Sequence, residues 1–241
     1  MDIKIFNNAE EIAVAAAQLY KELIAQKPNA VLGLATGATP VPTYKKIIEL
    51  YNNGEISFKD VTTFNLDEYC DLDKNDKNSY YTFMHENLFN HIDIREENVN
   101  FLDGNAEDCD AESKRYAEAI KAAGGIDLQL LGIGTNGHIA FNEPADKFTD
   151  EAFKVTLTQS TIDSNQQYFG DVPMPRYAMT MGIGSIMKAK KIILIATGDK
   201  KAEAVRDMVK GEVTPHCPAS ILQQHGDAII FLDEAAASLL K

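Results

Sequence analysis

Ile126-Asp127-Leu128-Gln129-Leu130-Leu131-Gly132-Ile133-Gly134-Thr135-Asn136-Gly137-His138-Ile139-Ala140-Phe141-Asn142-Glu143-Pro144 is the stretch whose reading decides the fold. Ile126 to Leu131 is a short, mostly apolar run that reads as a buried strand. It stops at Gly132, and Gly134 and Gly137 follow. Within a few residues come an imidazole (His138), a carboxylate (Glu143) and two amides (Asn136, Asn142). Tight turns beside a base, an acid and amides suit an active-site loop. In open α/β sheets ligands bind past the carboxyl ends of the strands. A glycine-rich βα turn with a capping asparagine would look the same locally, so the rest of the chain has to separate the two.

Working outward, Ala30 to Ala35, Val61 to Phe64, Lys191 to Ala196 and Ala228 to Leu232 are further apolar runs. They lack polar alternation, as strands buried on both faces do. Ile3 to Phe6, Val99 to Leu102, Phe153 to Leu157 and Ala178 to Met181 are shorter extended candidates. Between them lie helical patterns. One is capped by Asn8 and carries Ile12, Ala16, Leu19, Leu23 and Ile24; another is capped by Thr39 with Pro40 at its first position. Others cover Ser79 to Phe89, Ala106 to Ala123, a short stretch from Gly182, the segment up to Val209, Ser220 to Gln223, and Glu234 to Leu240. Alternating β and α with apolar strands predicts an α/β fold: a doubly wound, mainly parallel, Rossmann-like sheet with helices on both faces. Residues 1–241 are expected to form one domain. Pro144 to Pro175 is polar and weakly patterned, and a lid is expected at 145–175.

The formal net charge of −13 repels nucleic acid and anionic membrane surfaces, so neither is an expected partner. An anionic substrate must then be held by local donors. Cys70, Cys109 and Cys217 form no CxxC and no zinc spacing. With no signal peptide and no apolar run near the length of a membrane span, a reduced, cytoplasmic location is expected.

Three further segments carry chemistry. Thr36-Gly37-Ala38-Thr39-Pro40 places a strand end, a glycine turn and a helix start together, an arrangement suited to an anion. It matches neither of the common nucleotide-binding glycine loops. Asp67 and Glu68 follow the Val61–Phe64 run; in an extended segment they point to opposite sides, so one can face a site while the other faces solvent or a structural partner. Lys201 falls in the first turn of a helix, where a cation opposes the dipole unless an anion is near. Four such loops at the strand ends can converge on one edge of a parallel sheet. His85 and His91 read as surface residues, and His216 with Cys217 is no metal pair by spacing.

Leu66-Asp67-Glu68-Tyr69, the Gly132–Pro144 string, Gly33-Leu34-Ala35-Thr36-Gly37-Ala38-Thr39-Pro40 and the segment around Lys201 together resemble the glucosamine-6-phosphate deaminase family, in order and over essentially the whole chain. The resemblance implies conversion of glucosamine 6-phosphate and water to fructose 6-phosphate and ammonia, with no metal and no organic cofactor. It implies His138 as the ring-opening base, with Glu143 and Asn136 orienting it, and Asp67 as the base at C2. It implies a phosphate held by Thr36, Gly37, Ala38, Thr39, Gly137 and Lys201. Many relatives carry an aspartate where Asn136 stands, and often an arginine near the position of Gln166-Gln167-Tyr168; Arg176 is the substitute considered for that arginine. Only Lys154 is basic between Phe148 and Leu157, and the C-terminal tail is short, so the resemblance implies a non-allosteric enzyme, a monomer or small homo-oligomer. Two rivals share parts of the pattern: a 6-phosphogluconolactonase, through the Gly-x-Gly-x-x-Gly-His run, and a non-catalytic sugar-phosphate sensor domain.

Overall fold

The computed structural model describes residues 1–240. Its centre is a seven-stranded, all-parallel sheet in the order β1-β10-β9-β6-β2-β3-β5. The strands are β1 (Asp2–Phe6), β2 (Val31–Leu34), β3 (Thr62–Asn65), β5 (Val99–Asn100), β6 (Leu128–Leu131), β9 (Lys191–Ala196) and β10 (Ala228–Asp233). The four apolar runs read from the sequence thus lie in the sheet, where every residue of β2 and β6 is buried.

The strand order sets the site. From β2 the chain moves outward to β3 and β5, then crosses back over β2 to β6 and continues away to β9 and β10. The loops leaving β2 and β6 therefore diverge, which opens a crevice above their carboxyl ends. The two strands approach closely there: Gly33 pairs with Gln129, and a Cβ on Gly33 would sit 1.9 Å from the Gln129 side-chain oxygen.

Helices pack around the sheet: α1 (Ala9–Gln26), α2 (Val41–Asn52), α3 (Tyr80–Asn87), α4 (Cys109–Ala122), α6 (Ile183–Met187) and α7 (Ala202–Lys210). Asn8 caps α1 through its side chain, 3.0 Å from the Glu11 N–H. Among the described residues no helix is long and apolar enough to cross a membrane.

Four readings are corrected. Thr39 does not cap α2; Pro40, at φ −77°, already has helical backbone and occupies the cap position without a side-chain bond. Glu234 to Leu239 forms turns and not a closing helix, although Asp233 accepts from the Ala236 N–H as a helix cap would. The polar stretch after Thr158 is a helix, α5 (Gln159–Phe169), with Thr158 as its N-cap. Asp67 does not sit in a loop: it begins β4 (Asp67–Tyr69), which joins β8 (Tyr177–Thr180) and β7 (Phe153–Thr156) in a second, antiparallel sheet. These strands are three or four residues long and mostly mixed in polarity, so they carry no apolar run.

Candidate active site

Above the carboxyl ends of β2, β3, β6 and β9 lies a cavity of about 540 Å³. Its walls come from Ala35–Thr39 after β2, Leu66 and Asp67 after β3, the Gly132–Phe141 loop after β6, and Lys200 and Lys201 after β9. The fifth wall is α5, which contributes Ser160, Thr161, Asp163, Ser164, Asn165, Gln167 and Tyr168.

One end of the cavity is built for an anion. Gly37 takes φ +90°, a left-handed conformation that glycine adopts without strain. The loop it turns is anchored beneath by the buried Tyr44 hydroxyl, which donates to Ala35 O at 2.5 Å. Among the described residues, the N–H groups of Gly37, Ala38 and Thr39 donate to no protein acceptor. Lys201 closes the same end; its Nζ donates to Ile133 O at 2.7 Å, and burial pulls its pKa below the usual lysine value. Free N–H donors at a helix start and an ammonium form a local positive end inside a chain of net charge −13. Arg176 is exposed and lies outside the cavity lining, so the cations present are Lys200 and Lys201.

His138 is held from three sides. The loop folds back so that Gly134 N–H donates to His138 O at 2.9 Å. The imidazole lies against Gly134, where a Cβ would come within 2.3 Å of the ring; only glycine leaves it room. Asn136 accepts from His138 N–H at 3.2 Å and donates to Glu143 Oε2 at 2.8 Å. That same Oε2 lies 3.4 Å from His138 Nδ1, which has no hydrogen-bond partner of good geometry. A carboxylate facing Nδ1 favours the Nδ1–H tautomer, leaving Nε2 as the basic nitrogen. Burial acts to raise the Glu143 pKa, but the adjacent His138 ring, with Thr161 and Asn136, holds it at about 2. Glu143 does not itself line the cavity.

Asp67 and Glu68 divide as the period of a strand requires. Glu68 turns away and accepts from the N–H groups of Tyr69, Tyr80 and Tyr81 at 2.8, 2.9 and 2.9 Å. It thereby joins Ser79 in capping α3, where a negative charge is favoured. Asp67 faces the cavity, 5% exposed, and no hydrogen bond to its carboxylate is formed among the described residues. Burial first, and the charge of Glu68 second, push its pKa from 3.8 up to about 8. Beside it the Tyr80 ring stacks on Phe141, with centroids 6.1 Å apart, and forms an aromatic wall.

Residues 7–231 match the family described as glucosamine-6-phosphate isomerases/6-phosphogluconolactonase. The chain belongs to this family.

Within the family, a glucosamine-6-phosphate deaminase of Thermoanaerobacter sp. (strain X514) is 51% identical over 241 residues, covering 100% of this chain and 95% of its own. That of Mycoplasma mycoides subsp. mycoides SC is also 51% identical, covering 100% and 98%. The solved structure of a monomeric glucosamine-6-phosphate deaminase matches with a TM-score of 0.96 at 43% identity, over 99% of this chain and 100% of its own. The 6-phosphogluconolactonase of Leishmania guyanensis, at 19% identity and a TM-score of 0.75 over 98% and 97%, shares the fold.

Of the residues singled out in the sequence, Thr36, Gly37, Ala38, Thr39, Asp67, Asn136, His138 and Lys201 line one cavity. Gly137 does not. At φ +84° it turns the chain away and packs against Cys217, and its carbonyl accepts from Ala219 N–H at 2.9 Å. Asn142 is structural: its amide donates to Ile139 O and Met181 O at 3.0 and 2.9 Å. The sequence reading missed Tyr80 and Lys200 as lining residues; it expected a lid at 145–175 but not that a helix, α5, would bring Thr161 and its neighbours into the cavity wall. Only the Thr158 capping signal could have located α5.

Proposed function

We propose that this protein converts glucosamine 6-phosphate and water to fructose 6-phosphate and ammonia. One observation carries the reading: a buried carboxylate (Asp67) and an oriented imidazole (His138) face a common cavity, one end of which is lined by free N–H donors and lysines. The sugar's phosphate takes that end, held by the Gly37–Thr39 amides and Lys201, with Lys200 at the rim.

His138 Nε2 takes the anomeric hydroxyl proton and passes it to the ring oxygen as the C1–O5 bond breaks. Asn136 and Glu143 act through the ring, as positioning residues. Before substrate binds, burial and the Glu68 charge keep Asp67 protonated to about pH 8. The substrate's C2 ammonium, once beside it, favours the ionised carboxylate. Asp67 then removes the C2 proton; the electron pair forms the C1=C2 bond while one proton moves from nitrogen to O1, giving an enolamine. Asp67 returns its proton to C1, water adds to the resulting C2 iminium, and ammonia leaves. A carboxylate whose proton affinity is raised by burial is a stronger base for the carbon step, and positioned acid–base catalysis contributes about 10²- to 10⁴-fold.

The segment 145–175 acts as a lid over the bound sugar, which is supported by the α5 side chains in the cavity wall. We read the protein as a cytoplasmic monomer, in keeping with its three free thiols and with the monomeric relative. The test is ammonia release from glucosamine 6-phosphate by the purified protein, measured beside hydrolysis of 6-phosphogluconolactone. Ammonia release without lactone hydrolysis is expected, and the reverse pattern overturns the reading.

A further inference from the structure

The two oxygens of Glu143 serve different partners. Oε2 faces His138 Nδ1 and accepts from Asn136. Oε1 turns the other way and accepts from Thr161 Oγ1 at 2.5 Å, Thr158 Oγ1 at 3.2 Å and Thr158 N–H at 3.3 Å. All three donors belong to the start of α5, the element that forms one wall of the cavity. A carboxylate is planar, so fixing one oxygen fixes the other.

The arrangement is more than a helix cap. Thr158 already caps α5 by accepting from Thr161 N–H at 3.4 Å. A threonine inside a helix usually turns its hydroxyl back to a carbonyl of the preceding turn. Thr161 instead aims its hydroxyl at Glu143, and the residue is 3% exposed. A hydroxyl donating to a carboxylate forms a short, charge-assisted bond, stronger than a neutral one. The Thr161 hydroxyl and the Thr158 N–H, with the Thr158 hydroxyl shared between Oε1 and Thr161 Oγ1 at 3.1 Å, give a latch whose strength depends on α5 being seated.

We propose that Thr161, helped by Thr158, is a positioning residue that couples the α5 segment to the imidazole: seating α5 sets Glu143 against His138, so closing the cavity and assembling the ring-opening base are one event. This rests on the roles proposed above for His138 and Glu143. When α5 lifts, Oε1 loses its donors, Asn136 alone still holds the Glu143 carboxylate, and the partner that fixes the His138 tautomer is no longer held from both sides.

Two measurements test it on Thr161→Val and Thr161→Ser. In kinetics with glucosamine 6-phosphate, the valine variant should lose about 10- to 100-fold, the worth of a hydrogen bond to a charged group, in kcat more than in KM, and serine should restore most of it. In side-chain ¹⁵N NMR of the unliganded protein, with His138 assigned by His138→Gln, the wild type and the serine variant should show one ring tautomer and the valine variant a mixture. The second readout needs no turnover. A wild type that releases no ammonia but shows the tautomer change refutes the activity and keeps the latch. A valine variant with wild-type kcat and tautomer, even with lowered thermal stability, refutes the latch.

Discussion

Replacing Asp67 by Asn should cut turnover sharply and stabilise the fold, by an amount that grows with pH. The carboxyl is 5% exposed in β4, faces the cavity and accepts no hydrogen bond among the described residues; burial and the neighbouring Glu68 raise its pKa from 3.8 to about 8. Between those values the folded protein keeps a proton that the unfolded chain releases, so wild-type stability declines as pH rises through the window. At 1.36 kcal/mol per pKa unit the ceiling on this cost is about 6 kcal/mol. Water in the cavity and the coupling to Glu68 lower it, and about 2 to 3 kcal/mol is expected at about pH 8.5. For a chain of this length that is a rise in Tm of roughly 4 to 12 °C for the variant. Near about pH 4, where wild-type Asp67 is protonated folded and half-protonated unfolded, the two proteins should differ little. Calorimetry of both proteins across this range reads the gap, and ammonia release should fall by about 10²-fold or more. A gap that stays constant with pH, or a wild type that is the more stable at the alkaline end, refutes the burial argument. Full activity in the variant refutes the assignment of the C2 base.

Lys201→Gln should cost roughly 10- to 100-fold in kcat/KM, mostly as a raised KM, because a charged donor to the phosphate is lost; Lys200→Gln, at an exposed rim position, should cost only a few-fold. An unchanged KM in Lys201→Gln argues against the phosphate lying at that end. Gly134→Ala should leave the circular dichroism spectrum intact yet reduce kcat by about 10²-fold, since a Cβ 2.3 Å from the ring must displace His138. Substrate saturation should be hyperbolic and unchanged by N-acetylglucosamine 6-phosphate, and sigmoidicity relieved by that compound would contradict the expectation of a non-allosteric enzyme.

Much of this was written locally. Apolar runs located the strands of the parallel sheet, since a strand covered on both faces has no polar alternation. The glycines between Gly132 and Gly137 marked where the β6 loop folds around His138. The period of two separates Asp67 from Glu68 whatever their partners, and the structure sends one to the cavity and the other to the start of α3. Each of these signals lies within a few residues of the feature it specifies.

What tertiary structure alone decided is what depends on contacts between distant segments. The pairing of Asp67 with Thr180 makes a strand of a segment with no strand signature. Thr161 became part of the site because α5 folds over Glu143, and Lys200 because β9 lies beside β6. Gly137, placed by its motif among the ligand contacts, turned out to pack on Cys217 instead. The sequence by itself determined the kind of fold, the loops that carry chemistry and the residue types within them, because periodicity, turn propensity and capping act over short range. Which of those side chains share one cavity, and the proton affinity of Asp67 within it, were decided by burial and by neighbours from other strands, and those exist only once the chain has folded.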